Sequence, residues 1–491
     1  MTVTIVFDNS YARLPARFYS RNAPARPTNP SIVRLNAPLA EALGLDPDWL
    51  QNPDGVNMMS GRAMPEGADP IALAYAGHQF GGFSPQLGDG RAHLLGEILD
   101  AQGRRKDIQL KGSGRTAFSR RGDGKAALGP VLREFIIAEA MSALGVPTTR
   151  ALAALRSGEE VQRETLLPGG VLVRVADSHI RVGTFQYFAA RGDAEAITAL
   201  IAYTTDRHYP KIASETPLAL HLLRSVVERQ AQLVAQWMSL GFIHGVMNTD
   251  NMSVAGETID YGPCAFMDAY NESTVYSSID HGGRYAYVNQ PAIAQWNLVR
   301  LAESLLGDIA TDRAQAVDAA QSVLNRFPGL YQQAWDRLFR KKLGLSRSLE
   351  GDRKLAEDLL SVMQASSADF TLTFRALADL AEGSAANLPL PGGAGTSADM
   401  AAWIERWKKR LTLEEAGGVD IASYMRHTSP AVIARNHAVE QAIEAAVSGD
   451  DTPFHELVDA LARPFDTPKV ERFYTRPPKP SEMVHQTFCG T

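Results

Sequence analysis

Between His244 and Gly262 the chain reads HGVMNTDNMSVAGETIDYG, in which Asn251 and Asp260 offer oxygen-bearing side chains and Asp250 a further carboxylate. Hard cations such as Mg2+ take oxygen ligands and, when shared with nucleotide phosphates, need only one or two from the protein. Residues 252–260 read as two short strands turning at Gly256 and Glu257, which predicts Asn251 and Asp260 at neighbouring ends of a hairpin. Taken singly, the same residues serve equally well as turn formers. Upstream, Lys111 closes a short strand-like stretch and Glu134 follows 23 residues later within PVLREFIIAEAMSAL. An ion pair between them would keep the ammonium charged and aimed at a phosphate; alone, Lys111 also fits an exposed strand end and Glu134 a carboxylate near a helix start. The segment GGFSPQLGDGR at 81–91 can bring backbone amides to an anion. Residues 104–125 carry Arg104, Arg105, Lys106, Lys111, Arg115, Arg120, Arg121 and Lys125 against Asp107 and Asp123. With only Phe118 as a stacking surface, that density suits a triphosphate better than a nucleic acid, and a solvated face accounts for about half of it.

The register narrows the chemistry. Asn251 lies seven residues after His244, and Asp260, Tyr261 and Gly262 form DYG. This resembles the H-R-D-x-x-x-x-N and D-F-G loops of the protein-kinase superfamily, with Lys111 and Glu134 in the places of its strand lysine and helix glutamate. The position two after the histidine is Val246, so the catalytic base of an ordinary kinase is missing. The glycine-rich segment is not G-x-G-x-x-G, since only Gly88 and Gly90 have usable spacing. A Walker A loop is absent too: Ser119 stands where a glycine is required and Ala126 where Ser or Thr is.

Three longer segments are more specific. QLKGSGRTAFSRRGDGKAALGPVLREFIIAEAMSALGVPTTR from Gln109, HGVMNTDNMSVAGETIDYGPCAF from His244 and the closing FCGT are similar to the selenoprotein O family, called YdiU in bacteria. The resemblance implies a kinase-like fold that binds ATP in a flipped orientation and transfers AMP to hydroxyl side chains of proteins. Carried over position by position, it implies that Gly88, Gly90 and Arg91 line the nucleotide. Lys111 would contact phosphate with Glu134 beside it, and Asp123 and Gly124 would meet the inverted nucleotide. Arg174 and Arg181 would hold the terminal phosphate, and Asn251 and Asp260 would ligate Mg2+. Asp250 would be the base that Val246 cannot be. Cys489, near the end, and Cys264 would form a reversible disulfide; as sequence positions alone they are two unrelated thiols.

These groups must be positioned by a mixed fold. Arg91–Leu99 and Lys106–Lys111 read as a β-hairpin, residues 130–144 as a helix stopped by Gly145, and 171–185 as a further strand carrying Arg174 and Arg181. Helices are expected over 217–240, from 290 and through 308–383, and 384–398 reads as a linker. Strands with one helix followed by helices indicate an α+β fold rather than a wound parallel sheet, and the family resemblance implies that it is bilobal and kinase-like. The expected division is an extension over 1–70, of irregular structure wrapped on a larger body, an N-lobe over 71–165, a C-lobe over 166–307 and a helical extension over 308–491.

Composition bounds the function. The 491 residues carry 49 Lys and Arg against 55 Asp and Glu, a formal charge of −6, which gives no reason to expect a nucleic-acid partner. With 45% hydrophobic residues a large core can form, and two cysteines fit a reducing compartment. No apolar run is long enough to span a bilayer and the amino end does not read as a signal peptide, so a soluble cytoplasmic protein is expected. The leading reading is a protein AMP-transferase using ATP and Mg2+ on Tyr, Ser or Thr hydroxyls, with UMP transfer using Mn2+ as a variant. The alternatives are a phosphotransferase and a nucleotide-binding pseudokinase scaffold.

Overall fold

A computed structural model describes residues 5–384, 397–414, 420–466 and 472–488. Ten strands lie in the first part of the chain: β1 (Tyr19–Arg21), β2 (Ser31–Leu35), β3 (Ile71–Leu73), β4 (Gly77–Gln79), β5 (Gly82–Ser84), β6 (Ala92–Leu99), β7 (Arg105–Lys111), β8 (Ala126–Ala127), β9 (Arg150–Gln162) and β10 (Leu166–Ala176). Eight of them form one antiparallel sheet in the order β1-β3-β6-β7-β10-β9-β2, with β8 also on β10, while β4 and β5 make a separate hairpin. The hairpin read from the sequence is β6–β7, with Ala92 opposite Lys111 and Leu99 opposite Arg105.

Side chains alternate across a strand. On β7 and β10 the apolar set Ile108, Leu110, Val173 and Val175 therefore faces one way, packed with Leu39, Leu50, Met58 and Met59 from the amino-terminal segment. That segment is more regular than the expected irregular wrapping. It gives both edge strands of the sheet and the helices Ala37–Ala42, Pro47–Gln51 and Pro53–Ser60, which cap its apolar face. The opposite alternation puts Gln109 and Lys111 of β7, and Arg174 directly across from Gln109, on the other face. The helix Leu128–Ala143 runs over that face, burying Val131, Leu132, Phe135 and Met141 and carrying Glu134 with them. Gly145, at φ +76°, ends it as the sequence suggests.

Two stretches differ from the sequence expectation. The strand read over 171–185 ends at Ala176, and a helix starts at Val182, so Arg181 is a helix-capping residue rather than a strand residue. Residues 252–260 form no hairpin: Ser253 pairs with Arg181 and Thr258 with Thr148 in isolated bridges. Both corrections have one cause, since these extended segments lend their backbone groups to each other instead of to a local turn.

Below the sheet, the long helix Leu218–Leu240 stops at Gly241 and leads into β11 (Phe242–Ile243), which pairs with β12 (Ala265–Phe266). The segment from His244 to Cys264 is thus a loop whose two stems are zipped together. Helices from Gln290–Ile309 onward complete the chain, and Asn436–Val447 and Thr452–Leu461 return to the helix Leu128–Ala143, with Phe135 and Phe454 rings 5.7 Å apart. Among the described residues no helix is long and apolar enough to cross a membrane. Most of the stretch read as a linker, and Cys489, lie outside the described residues.

One buried charge in the helical part gives a stability test. Lys342 is 2% exposed, with its Nζ 4.2 Å from the Phe374 ring centre. Burial pushes its ammonium down to about 7, against about 10.4 in an unfolded chain. Between those values the unfolded chain holds the extra proton, so stability rises with pH from about 7 to about 10 and is insensitive to this group below. Lys342→Met, similar in length and able to set its sulfur against the ring, is expected to stabilise the protein near pH 7 by at most about 4 kcal/mol and to abolish that slope. Denaturant unfolding of both proteins at neutral and alkaline pH checks this; an unaltered slope would contradict it.

Candidate active site

The polar face of β7 and β10 converges on Asp260. Lys111 Nζ lies 2.6 Å from Glu134 Oε2 and 2.9 Å from Asp260 Oδ1. Arg174 reaches the same two carboxylates, at 3.1 Å from Glu134 Oε1 and 2.6 Å from Asp260 Oδ1, while its remaining donors grip Gln109 Oε1. Arg181 donates to Asp260 Oδ2 and, at 2.6 Å, to the backbone carbonyl of Asp250, with its guanidinium 4.7 Å from the Tyr75 ring centre. Burial alone would raise the Asp260 carboxyl, but Arg181, Lys111 and Arg174 outweigh it and hold the group well below the usual carboxylate range. Lys111, Arg174 and Arg181 thus converge on one wall of the cleft, a set of donors suited to polyphosphate oxygens. Asp260 also has φ +62°, a left-handed conformation uncommon outside glycine and concentrated at functional sites.

The loop opposite is held by its neighbours rather than by itself. His244 is buried and kept neutral by burial, with Nε2 2.9 Å from the Ile259 carbonyl, which ties the start of the loop to the residue before Asp260. Val246, where a kinase has its base, is buried, and its carbonyl accepts the Asn251 Nδ2 hydrogen at 3.0 Å. That bond leaves the Asn251 amide oxygen as the end available to a cation. The β4–β5 hairpin laces onto three successive residues: the Phe80 amide donates to Asn248 Oδ1, the His78 amide to Thr249 Oγ1, and Gln79 Nε2 to Asp250 Oδ2 at 3.3 Å. Asp250 Oδ1 is buried with no hydrogen-bond partner, and burial pushes the carboxyl up to about 6. A buried carboxylate with one oxygen unsatisfied and an affinity for protons near neutrality is suited to general-base work.

The room for Asp250 depends on a missing side chain. A Cβ on Gly77 would lie 2.3 Å from Asp250 Oδ1. Gly77→Ala is therefore expected to displace the carboxylate and lower kcat roughly a hundredfold, as a misplacement of about 1 Å does elsewhere. The KM for ATP should stay within about twofold, since the atoms that a Cβ on Gly77 would meet belong to Asp250 and not to Lys111, Arg174 or Arg181. Steady-state transfer kinetics separate the two parameters, and an unchanged kcat would show that Asp250 has no such role.

Two adjoining cavities connect these groups. The inner one, about 500 Å³, is lined by Lys111, Arg174, Arg181, Asp250, Asn251 and Asp260. The outer one, about 610 Å³, is lined by Gly88, Gly90, Arg91, Asp123, Gly124 and Phe118. Arg91 and Asp250 border both. Glu134 stands behind Lys111, outside both linings. Gly88 is required where it is: its φ is +72°, and a Cβ there would stand 2.2 Å from the Phe118 ring. Asp123 is engaged with Arg163 at 2.9 Å and caps the Lys125 amide. Gly88, Gly90, Arg91, Lys111, Asp123, Gly124, Arg174, Arg181, Asp250, Asn251 and Asp260 thus line one cleft, whereas Arg104, Arg105 and Lys106 pair with acids elsewhere, and Cys264 is buried. Sequence reasoning missed Tyr75, Gly77, Gln79 and Gln109, although the run AGHQFGG, with glycines and amides just ahead of the glycine-rich segment, carried a signal.

Asn251 and Asp260 together form an oxygen-only donor pair on one cavity wall, which fits Mg2+ shared with phosphates rather than a metal caged by protein alone. No group of three or more His, Cys, Asp or Glu side chains poised for a metal occurs among the described residues.

Residues 1–462 match the family described as protein adenylyltransferase SelO. A protein nucleotidyltransferase YdiU of Rhizobium etli CFN 42 is 57% identical over 490 residues, covering 99% of this chain and 97% of its own. Proteins of the same name from Rhodopseudomonas palustris BisB18 and Methylorubrum populi are 55% and 54% identical, each covering all of both chains.

Proposed function

The chain belongs to the protein adenylyltransferase SelO family and is a protein nucleotidyltransferase with ATP as substrate; from that premise we propose how its cleft carries out the transfer. The nucleotide lies inverted relative to a kinase, its base in the outer cavity beside Gly88, Gly90, Asp123 and Gly124 and its outer phosphates on Lys111, Arg174 and Arg181. The acceptor is a Tyr, Ser or Thr hydroxyl of another protein. In this reading the sheet-bearing region around 71–165 and the region 166–307 act as the two lobes of a kinase-like fold, with 1–70 and 308–491 as extensions. The observation that carries the proposal is the burial of the cations at the inner end: Arg174 and Arg181 are each 2% exposed. No protein acceptor reaches those guanidinium groups, so the group transferred comes from a phosphate farther out, next to the Asp250 carboxylate where the two cavities adjoin.

The acceptor oxygen forms a bond to the α-phosphorus while the bond from that phosphorus to the bridging oxygen breaks, and pyrophosphate leaves with the electron pair. Asp250 takes the hydroxyl proton. Lys111, Arg174 and Arg181 bind the charge that develops on the leaving pyrophosphate, the guanidinium planes matching its oxygens in pairs. Glu134 and Gln109 keep the lysine and Arg174 aimed. A divalent cation held through Asn251 and Asp260 would neutralise phosphate charge when bound. The kinase alternative lacks support at Val246, and a scaffold would have no use for two buried arginines and a lysine gathered on one carboxylate.

Mass spectrometry of a mixed protein acceptor after incubation with ATP and Mg2+ tests the proposal. Addition of an adenylyl group, matched by released pyrophosphate, is expected. Addition of phosphate alone would overturn it. Repeating the incubation with UTP and Mn2+ measures the UMP variant.

A further inference from the structure

Of the eight basic side chains between 104 and 125, five are matched to carboxylates: Arg104 to Asp100, Arg105 to Asp8, Lys106 to Asp177, Lys111 to Glu134 and Lys125 to Glu159. The remaining three, Arg115, Arg120 and Arg121, fall together in the turn 115–122 at the cleft mouth, and all three are exposed. Arg115 Nε bonds only its own turn, at the Gly122 carbonyl. Arg120 and Arg121 have no hydrogen-bond or ion-pair partner among the described residues. The nearest acid in sequence, Asp123, is already taken by Arg163.

The turn is a fixed platform. Thr116 Oγ1 donates to the Asp89 carbonyl at 2.6 Å, Ser119 Oγ to the Gly90 carbonyl at 2.5 Å, and the Gly122 amide to Ser119 at 2.8 Å. Arg120 is held at φ +53°, a conformation that non-glycine residues adopt at a cost and mainly where function maintains it. It borders both cavities, as Asp250 does. From these observations, and resting on the transfer reading above, we infer that the turn 115–122 docks acceptor proteins whose modified hydroxyl is flanked by Asp or Glu. Charge complementarity selects that partner: two unpaired guanidinium groups stand out from a chain of net charge −6. The phosphates have their own cations at the inner end, so the rim arginines are not needed for them. A nucleic acid is disfavoured because Phe118, which alone in the turn has an aromatic ring, is buried against Gly88 and offers no stacking face.

The test uses the full chain, ATP labelled at the α-phosphate, and two hydroxyl-bearing acceptors, acidic casein and basic histone. The double variant Arg120→Ala with Arg121→Ala is expected to raise the KM for casein roughly tenfold and to weaken its salt dependence. The KM for histone and that for ATP should move by no more than about twofold, a pattern that general damage to the cleft does not produce. Arg120→Glu with Arg121→Glu should turn the preference towards histone. An unchanged casein KM in an active enzyme overturns the docking surface alone, and so does a rise confined to the KM for ATP, which would assign the arginines to the nucleotide. Label on neither acceptor from the wild-type chain overturns the transfer reading and this surface with it.

Discussion

Asp260→Asn is expected to lower transfer by roughly three orders of magnitude while leaving ATP binding, measured without divalent cations, as tight as before or tighter. The two effects separate because the carboxylate has two roles. In the free protein it neutralises Lys111, Arg174 and Arg181. Removing its charge leaves three cations short of an anion, and the phosphates of ATP take that place. On the proposed reading Asp260 is also one of the two oxygen donors to the cation, so its loss should leave the bound nucleotide unreactive. Breaking a buried ion pair also costs stability, about 3 kcal/mol or more, and saturating ATP should restore much of it. Isothermal titration with ATP, thermal unfolding with and without ATP, and transfer rates measured in parallel check the three parts. Weaker ATP binding in step with lost activity would mean that Asp260 positions the phosphates instead of balancing the cations around them.

Asp250→Asn is expected to reduce kcat by a factor of about 10² to 10⁴, the range for loss of a general base, with the KM for ATP little changed. The carboxylate makes one hydrogen bond through a side chain, to Gln79, and its other oxygen has none. Its burial is therefore costly to the folded protein, and a neutral amide of the same shape should raise the thermal midpoint slightly. Loss of rate with gain of stability is the mark of a residue kept for chemistry. A variant that loses both would indicate a structural carboxylate holding the loop.

Much of this cleft was legible because its chemistry-bearing residues sit on regular elements or at fixed loop spacings. Alternation along β7 sets Gln109 and Lys111 on one face, and the helix Leu128–Ala143, read from its apolar spacing and terminal glycine, delivers Glu134. The interval between His244 and Asn251 survives because the loop is clamped by β11 and β12, whose pairing is only two residues long and leaves no periodic pattern to read. What sequence patterning could not give were long-range backbone pairings. The bridges from Ser253 to Arg181 and from Thr258 to Thr148 replace the hairpin expected over 252–260, because burial lets distant segments satisfy each other's amides. The β4–β5 hairpin escaped notice for a related reason: its contacts with Asn248, Thr249 and Asp250 join residues about 170 positions apart, and Gly77 matters for what it lacks. The amino-terminal helices were hidden because each is short and becomes stable only against the apolar face of the sheet.

The direction in which ATP lies decides between nucleotidyl and phosphoryl transfer in this cleft. A crystal structure of the protein with Mg2+ and an ATP analogue that resists cleavage between the α and β phosphates measures it directly. The adenine is expected between Gly88 and Gly124, the terminal phosphate on Arg174 and Arg181, and the α-phosphorus facing Asp250. An adenine seated against Arg174 and Arg181, with the terminal phosphate pointing out past Asp250, would contradict that placement.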